Sequence, residues 1–525
     1  MSTLLLVLVV TLGVIVLTPV SDRIRVPQPV LLTIFGLAIA LVAPGNPLSF
    51  DPALILPVVL PPLLFAATQR TTVTEFREHA GAVFTLAVGL TLATVAVVAV
   101  VAHAVGLPWS VAWVLGAIVS PPDPVAATAV ARRLRLPHRL VTILEGEGMF
   151  NDATALVAYK VAIVAAVTGG ISGGQVALEL VEAVALGVLA GVVLGVVSRF
   201  VLARIHDAYA ETTVTVLVPF LAYVGAEHVN GSGVLAVLAL GLYLRTYGHD
   251  ATSSGGWLLG RAVWSYADFL ITSLVFTLLG FELVAVIRST GTGTGTGTDT
   301  ARLALLVVVT LVVFRAIWIY PAAWLSRVRA RRRDLPVPTG WRESTVVAWA
   351  GMRGVVTVAT AVALPEVVAS GEPLPNRAEV VTVALVAVLV TLVVQGLTLT
   401  PLTKWLRVGS DVDEAAEVAQ LRLRASGAAL EQIRDEASTL DEDVRAAALA
   451  QYEGYVTAQQ SIHQARAGED EASDRRALEL ESVLRRASDV ERQLVLEARR
   501  RGEVSAGSAD EVLRDIENRA LRDFA

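Results

Sequence analysis

Three short segments place ionisable side chains where the chain is otherwise apolar. Residues 116–126 read GAIVSPPDPVA, with Asp123 set among prolines in the middle of an apolar run. Residues 144–157 read LEGEGMFNDATALV and gather Glu145, Glu147, Asn151 and Asp152 within eight positions. Residues 349–354 read WAGMRG, with Arg353 flanked by Gly351 and Gly354 and by long stretches of small or apolar residues. Ionisable groups inside apolar spans are costly and by default mark ion or proton paths. A carboxylate there can hold a proton or, once ionised, a hard cation that prefers oxygen ligands.

The spacing constrains how these groups can meet. Glu147 and Asn151 are four residues apart and share one helix face. Asp152 lies about 100° further round, and Glu145, seven residues before it, returns to roughly its face. Pro121, Pro122 and Pro124 remove backbone donors and cannot continue a helix. In a bilayer such a break is tolerated only where protein or a water-filled cavity satisfies the freed carbonyls. It leaves two half-helix ends, each with a partial charge, and Asp123 sits between them. A plain proline kink capped by Asp123 is the structural alternative, as is headgroup water for Glu145. A buried Arg353 demands an acidic partner, with Glu147 the first candidate and Glu145 the second. Locking helices together by that pair is at least part of its role. Its glycines suit close approach of another helix.

The elements that must carry these groups are membrane spans. Of the 525 residues, 54% are hydrophobic and the mean hydropathy is +0.63, too apolar for a soluble core with its covering surface. A span needs roughly 20 apolar residues. The candidates are 3–20, 27–43, 51–68, 79–105, 110–131, 139–167, 176–203, 211–227, 233–246, 260–287, 301–326, 343–366 and 378–404, thirteen in all. The odd-numbered loops and the end of the last span hold 20 Arg and Lys residues, while the even-numbered loops hold only Arg288, Arg302 and Arg377. By the positive-inside rule the N-terminus is expected outside and the C-terminus in the cytoplasm. If span seven is a linker, the broken span five and the Gly-flanked span twelve are both the fifth helix of a six-helix repeat. Paired interruptions of this kind point to a transporter site. Residues 1–407 are thus read as a membrane domain. Residues 408–525, with 26 Asp and Glu against 16 Arg, read as an acidic cytoplasmic tail of amphipathic helices. The chain has no cysteine, which excludes disulfides and thiolate metal sites.

Together these segments resemble the cation/proton antiporter family 1, the NhaP-type sodium/proton antiporters, with residues 276–283 (FTLLGFEL) adding a later-span pattern. The resemblance covers roughly residues 1–407. It implies an all-α membrane protein of thirteen transmembrane helices in two inverted repeats with broken, crossing helices, a homodimer in the bacterial plasma membrane, and elevator-like alternating access. It maps the cation-binding carboxylate onto Asp152, preceded by Asn151, the unwound-helix carboxylate onto Asp123, and an arginine–acid pair onto Arg353 and Glu147. It implies Na⁺ (or Li⁺ or K⁺) and H⁺ as the transported partners, and Asn151 before Asp152 implies one proton per sodium. Family hydroxyl ligands are replaced here by Pro122, left with only its carbonyl, and by Gly148. No cofactor and no nucleic-acid partner is expected.

Competition of proton and cation for Asp152 is the expected mechanism, with Asp123 and span-five carbonyls as further oxygen ligands. A K⁺/H⁺ antiporter of the same fold is the nearest alternative. A channel would not need the buried titratable pair, and an intramembrane enzyme would need a catalytic partner that Asp123 lacks. His103 is read as interfacial, Lys160 as snorkelling outward, and Asp268 and Glu282 as structural. Arg315 in span eleven needs an acidic partner that the sequence does not identify.

Overall fold

The computed structural model describes residues 3–24, 26–42, 52–69, 81, 84–123, 136, 138–168, 173–290, 297–331, 340–368, 372–408, 414–436, 441–467, 471–501, 508, 512–513 and 515–516. Pro124, Arg25, Arg70, Arg77, Arg132, Arg133 and Arg135 lie outside the described residues, as do the side chains of Arg139 and Glu145. So do residues 291–296, 332–339 and 502–507. The chain forms two compact units, Met1–Gly409 and Ser410–Ala525.

The first unit is helical. In order it comprises α1 (Thr3–Ile24), α2 (Gln28–Val42), α3 (Pro52–Thr68), a π-helical turn (Thr85–Leu90) leading into α4 (Thr91–Val105), α5 (Trp109–Val119), α6 (His138–Thr168) and α7 (Gly173–Leu202). These are followed by α8 (Ala208–His228), α9 (Gly233–Tyr247), α10 (Ser254–Thr290), α11 (Gly297–Arg331), α12 (Trp341–Trp349), α13 (Val355–Val362) and α14 (Arg377–Leu406). Seven described stretches, on α4, α6, α7, α8, α10, α11 and α14, are long and apolar enough to cross a bilayer. Shorter apolar stretches form much of α1, α2, α3, α5 and α9. On α7, Val181, Leu189, Val193, Val197 and Phe200 are exposed. In a bilayer such a face meets lipid at no cost, whereas in water it would be an aggregation surface.

Small residues set the tightest contacts. Gly36 on α2 and Gly280 on α10 face each other so closely that a methyl group on either would strike the other helix's backbone. Small side chains allow this where lipid supplies no hydrophobic drive between helices. One large buried cluster unites α4, α5, α6, α11, α13 and α14, and a second joins α3, α6, α8, α9 and α10. α6 belongs to both.

Two elements are interrupted, and the interruptions meet. α5 ends at Val119, and residues 120–123 are irregular, because Pro121 and Pro122 cannot donate to the helical ladder. α12 and α13 are separated by the irregular residues 350–354. The Asp123 amide donates to the Met352 carbonyl at 2.6 Å, joining one break to the other.

The second unit contains α15 (Glu414–Glu436), α16 (Glu442–Ala467) and α17 (Glu471–Arg500). α15 packs on α16 and α16 on α17, with Arg434 bridging to Glu453 at 2.8 Å. The apolar spacing expected on α17 is present, yet Val483, Val490 and Leu494 are exposed within the unit.

Candidate functional site

The carboxylates gather where α6 passes the two interrupted elements. Asn151 is fully buried and donates its amide to the Pro122 carbonyl at 3.0 Å. One freed carbonyl of the proline break is thereby satisfied, as a buried polar group requires. The same bond fixes α6 against α5 at the level of Asp152. Asn151 Oδ1 is buried with no hydrogen-bond partner among the described residues. Asp152 follows, half-buried and close enough to Asp123 for their charges to interact. The Pro122 carbonyl expected to face an ion is thus already engaged by Asn151, although a carbonyl oxygen retains a second lone pair.

Asp123 points at the start of α13. Its Oδ2 lies 3.4 Å from the Val355 amide, and a β-carbon on Gly354 would collide with its carboxyl group. A helix N-terminus carries unpaired N–H groups and a partial positive charge, both suited to a carboxylate.

The ion pair expected between Arg353 and Glu147 is not formed, and this is a correction. Arg315 on α11 takes both Glu147 oxygens, Nη1 to Oε1 and Nη2 to Oε2, the latter at 2.9 Å. Its Nε and Nη2 also donate to the Val347 carbonyl of α12 at 3.2 and 3.1 Å. Both residues are buried, and the planar guanidinium matches a carboxylate in fork geometry. Arg353 is satisfied by carbonyls instead. Its Nε donates to Val119 at 2.6 Å and its Nη1 to Gly351, while its backbone amide donates to Thr391 Oγ1 at 3.1 Å. The physical reason lies in the proline break. The end of α5 exposes carbonyls that carry the negative end of the helix dipole, and these meet the cation's need. The glycines beside Arg353 also act differently from the expectation of helix–helix approach. Gly351 makes room for the Arg315 side chain and Gly354 for the Asp123 carboxylate.

Other candidate groups lie outside this cluster. Lys160 is exposed as expected, but it also pairs with Glu227 of α8 at 2.7 Å. His103 stacks on Trp109, with ring centroids 4.1 Å apart, and its Nδ1 lies 2.8 Å from the Leu107 carbonyl. Sequence reasoning passed over Glu211, which is buried on α8 and accepts from the amide and hydroxyl of Ser253, each at 3.0 Å. Among the described residues no group of three or more His, Cys, Asp or Glu could hold a metal ion by itself. Along α6, the face bearing Phe150, Ala153, Val157 and Val161 borders an apolar cavity of about 750 Å³.

Among the described side chains Glu147, Asp123, Asp152, Arg315 and Arg353, full ionisation leaves a net of one negative charge.

Comparisons with known proteins give the family and the fold. The family model described as "Sodium/hydrogen exchanger, transmembrane" matches residues 7–405. An uncharacterised Na⁺/H⁺ exchanger of Mycobacterium tuberculosis is 31% identical over 432 residues, which is 82% of this chain and 79% of that protein. A sodium, potassium, lithium and rubidium/H⁺ antiporter of Bacillus pumilus is 29% identical over 444 residues, 82% of this chain and 65% of that protein. The solved structure of the sodium proton antiporter MjNhaP1 from Methanocaldococcus jannaschii at pH 8 has a similar fold, with a TM-score of 0.60 at 18% identity. The similarity covers 76% of this chain and 97% of that one. With its family signature running through every helix from α1 to α14, this chain belongs to the sodium/hydrogen exchanger family of multi-pass membrane antiporters.

Proposed function

We propose that the protein is a secondary active monovalent cation:proton antiporter that performs electroneutral Na⁺/H⁺ exchange, with cation and proton competing for Asp152. The observation that carries this reading is the placement of Asp152. It is half-buried on α6, beside a residue that clasps the proline break, and within electrostatic reach of Asp123 of that break, whose carboxylate meets the start of α13. When ionised, Asp152 and Asp123 supply hard oxygen ligands to a dehydrated cation. When protonated, Asp152 no longer attracts it. One uncompensated charge supports one proton per sodium, and Asn151, an amide held by the Pro122 carbonyl, adds no second proton.

Thirteen spans in two inverted repeats accord with the paired interruptions at α5 and α12–α13. We place the N-terminus outside, the tail in the cytoplasm and the protein as a homodimer in the bacterial plasma membrane, on the basis of the arginine distribution and the family.

The test is fluorescence dequenching in proteoliposomes that report proton movement on addition of Na⁺, Li⁺ or K⁺. Na⁺-driven dequenching that disappears in Asp152→Asn supports the reading, and cation-driven exchange retained in that variant refutes it. A K⁺/H⁺ antiporter is the second reading, favoured by the potassium named among the ions of the Bacillus pumilus relative. It predicts a K⁺ response at least equal to that of Na⁺.

A further inference from the structure

Thr357, the third residue of α13, is only 1% exposed, and its hydroxyl has no hydrogen-bond partner among the described residues. A buried hydroxyl left in this state is costly and calls for an explanation. Threonines inside helices usually give their hydroxyl to a carbonyl three or four residues back. Thr94, Thr154, Thr360 and Thr391 all do so here. Thr357 does neither. The carbonyl four residues back belongs to Arg353, beyond the start of the helix, where Gly354 is extended with φ −148° and ψ −141°. The carbonyl three residues back, that of Gly354, already accepts the Val358 amide at 3.1 Å.

Thr357 follows Gly354, the N-cap of α13, by three residues, and the β-position of Gly354 lies against the Asp123 carboxyl group. The hydroxyl is thus carried by the first turn of α13, the end of the helix that Asp123 faces. Helical side chains tilt toward the N-terminus, which here means toward that carboxylate. Three residues of helix rise about 4.5 Å. Two oxygens on opposite sides of a hard cation with bonds of about 2.3–2.6 Å stand about 5 Å apart. The hydroxyl and the carboxylate are not bonded to each other, as two oxygens on opposite sides of one cation would not be.

We propose that Thr357 is a cation ligand, its hydroxyl oxygen completing with Asp123 and Asp152 the oxygen set that receives Na⁺ or Li⁺. This inference rests on the function proposed above. A hydroxyl serves the metal ion and not the proton, so its loss weakens cation recognition and leaves the proton dependence at saturating cation in place.

The experiment titrates Na⁺ and Li⁺ against dequenching for Thr357→Val, which exchanges hydroxyl for methyl at nearly constant volume, and for Thr357→Ser, which keeps the oxygen. We expect Thr357→Val to raise the apparent KM for both ions by about ten-fold or more, the loss of roughly one good ligand contact, with the maximal rate within about two-fold. Thr357→Ser should stay near wild type. Should the valine variant fail to give a monodisperse protein, Thr357→Ala is read by the same criteria. Unchanged cation dependence in the hydroxyl-less variant overturns the proposal, as does a serine variant as impaired as the valine one, which would mark the methyl group as the working part. If wild type exchanges and Asp152→Asn does not, an unchanged Thr357 variant refutes this inference alone. A wild-type protein that moves no protons on addition of any of the three cations overturns it together with the proposed function.

Discussion

Arg315 and Glu147, 168 residues apart, form a bidentate ion pair sealed inside the helix bundle. The pair ties α11 to α6, and two further bonds from the same guanidinium tie α11 to α12. It therefore braces the helix that carries Asp152 against the element that carries Arg353. Removing one member of such a pair strands a buried charge, at a cost of about 3–5 kcal/mol, while replacing both costs far less. Arg315→Met should markedly lower the melting temperature of the detergent-solubilised protein. The double variant Arg315→Met, Glu147→Gln should recover most of the loss. Equal melting temperatures for the single and double variants would show that the pair is not what braces α6.

Asp152→Asn should abolish cation-driven proton movement while leaving the melting temperature close to that of wild type, since a half-buried carboxylate is exchanged for an isosteric amide. In the wild type, lowering the pH should raise the apparent KM for Na⁺ with little change in maximal rate, because protons occupy the site that the cation needs. A maximal rate that falls with KM unchanged would contradict direct competition.

Gly354→Ala puts a β-carbon into the space of the Asp123 carboxylate. The carboxylate must leave the N-terminus of α13, and exchange should fall by at least about ten-fold, since each 1.4 kcal/mol of lost interaction is a factor of ten. Gly427→Ala on α15 meets nothing within 4 Å and serves as the matched control. It should leave transport unchanged and, as a helix-interior change, stabilise its own helix by about 0.5–1 kcal/mol.

Lys160→Met tests whether every charge on α6 matters. The Lys160–Glu227 pair is 45% and 35% exposed, and pairs of this kind contribute about 0–1 kcal/mol. Proteoliposome assays and thermal melts should both stay near wild type. A large loss of exchange would assign the pair a part in transport that its exposure does not suggest.

Much of this molecule could be read from residue types and short-range spacing. Apolar runs far longer than any soluble core needs become helices, because a bilayer leaves backbone groups no other partner. Pro121 and Pro122 stop α5, and the glycines around Arg353 interrupt α12–α13, because those constraints are local. Asp123, Glu147, Asn151, Asp152 and Arg353 stood out because ionisable and amide groups among apolar residues need a reason to be there. Partnership was a different matter. Which arginine holds Glu147 depends on the approach of helices more than a hundred residues apart, and no spacing along the chain encodes that distance. Arg315 already demanded an acid, so the signal was present, but the choice among acids was not. The bond from Asn151 to Pro122, the meeting of Asp123 with the start of α13, and the orphaned hydroxyl of Thr357 likewise exist only once two interrupted elements cross. Local sequence determined where helices form and break and which groups are too costly to be idle. Tertiary packing alone decided which of those groups face one another, because burial and charge pairing are set by distances through space.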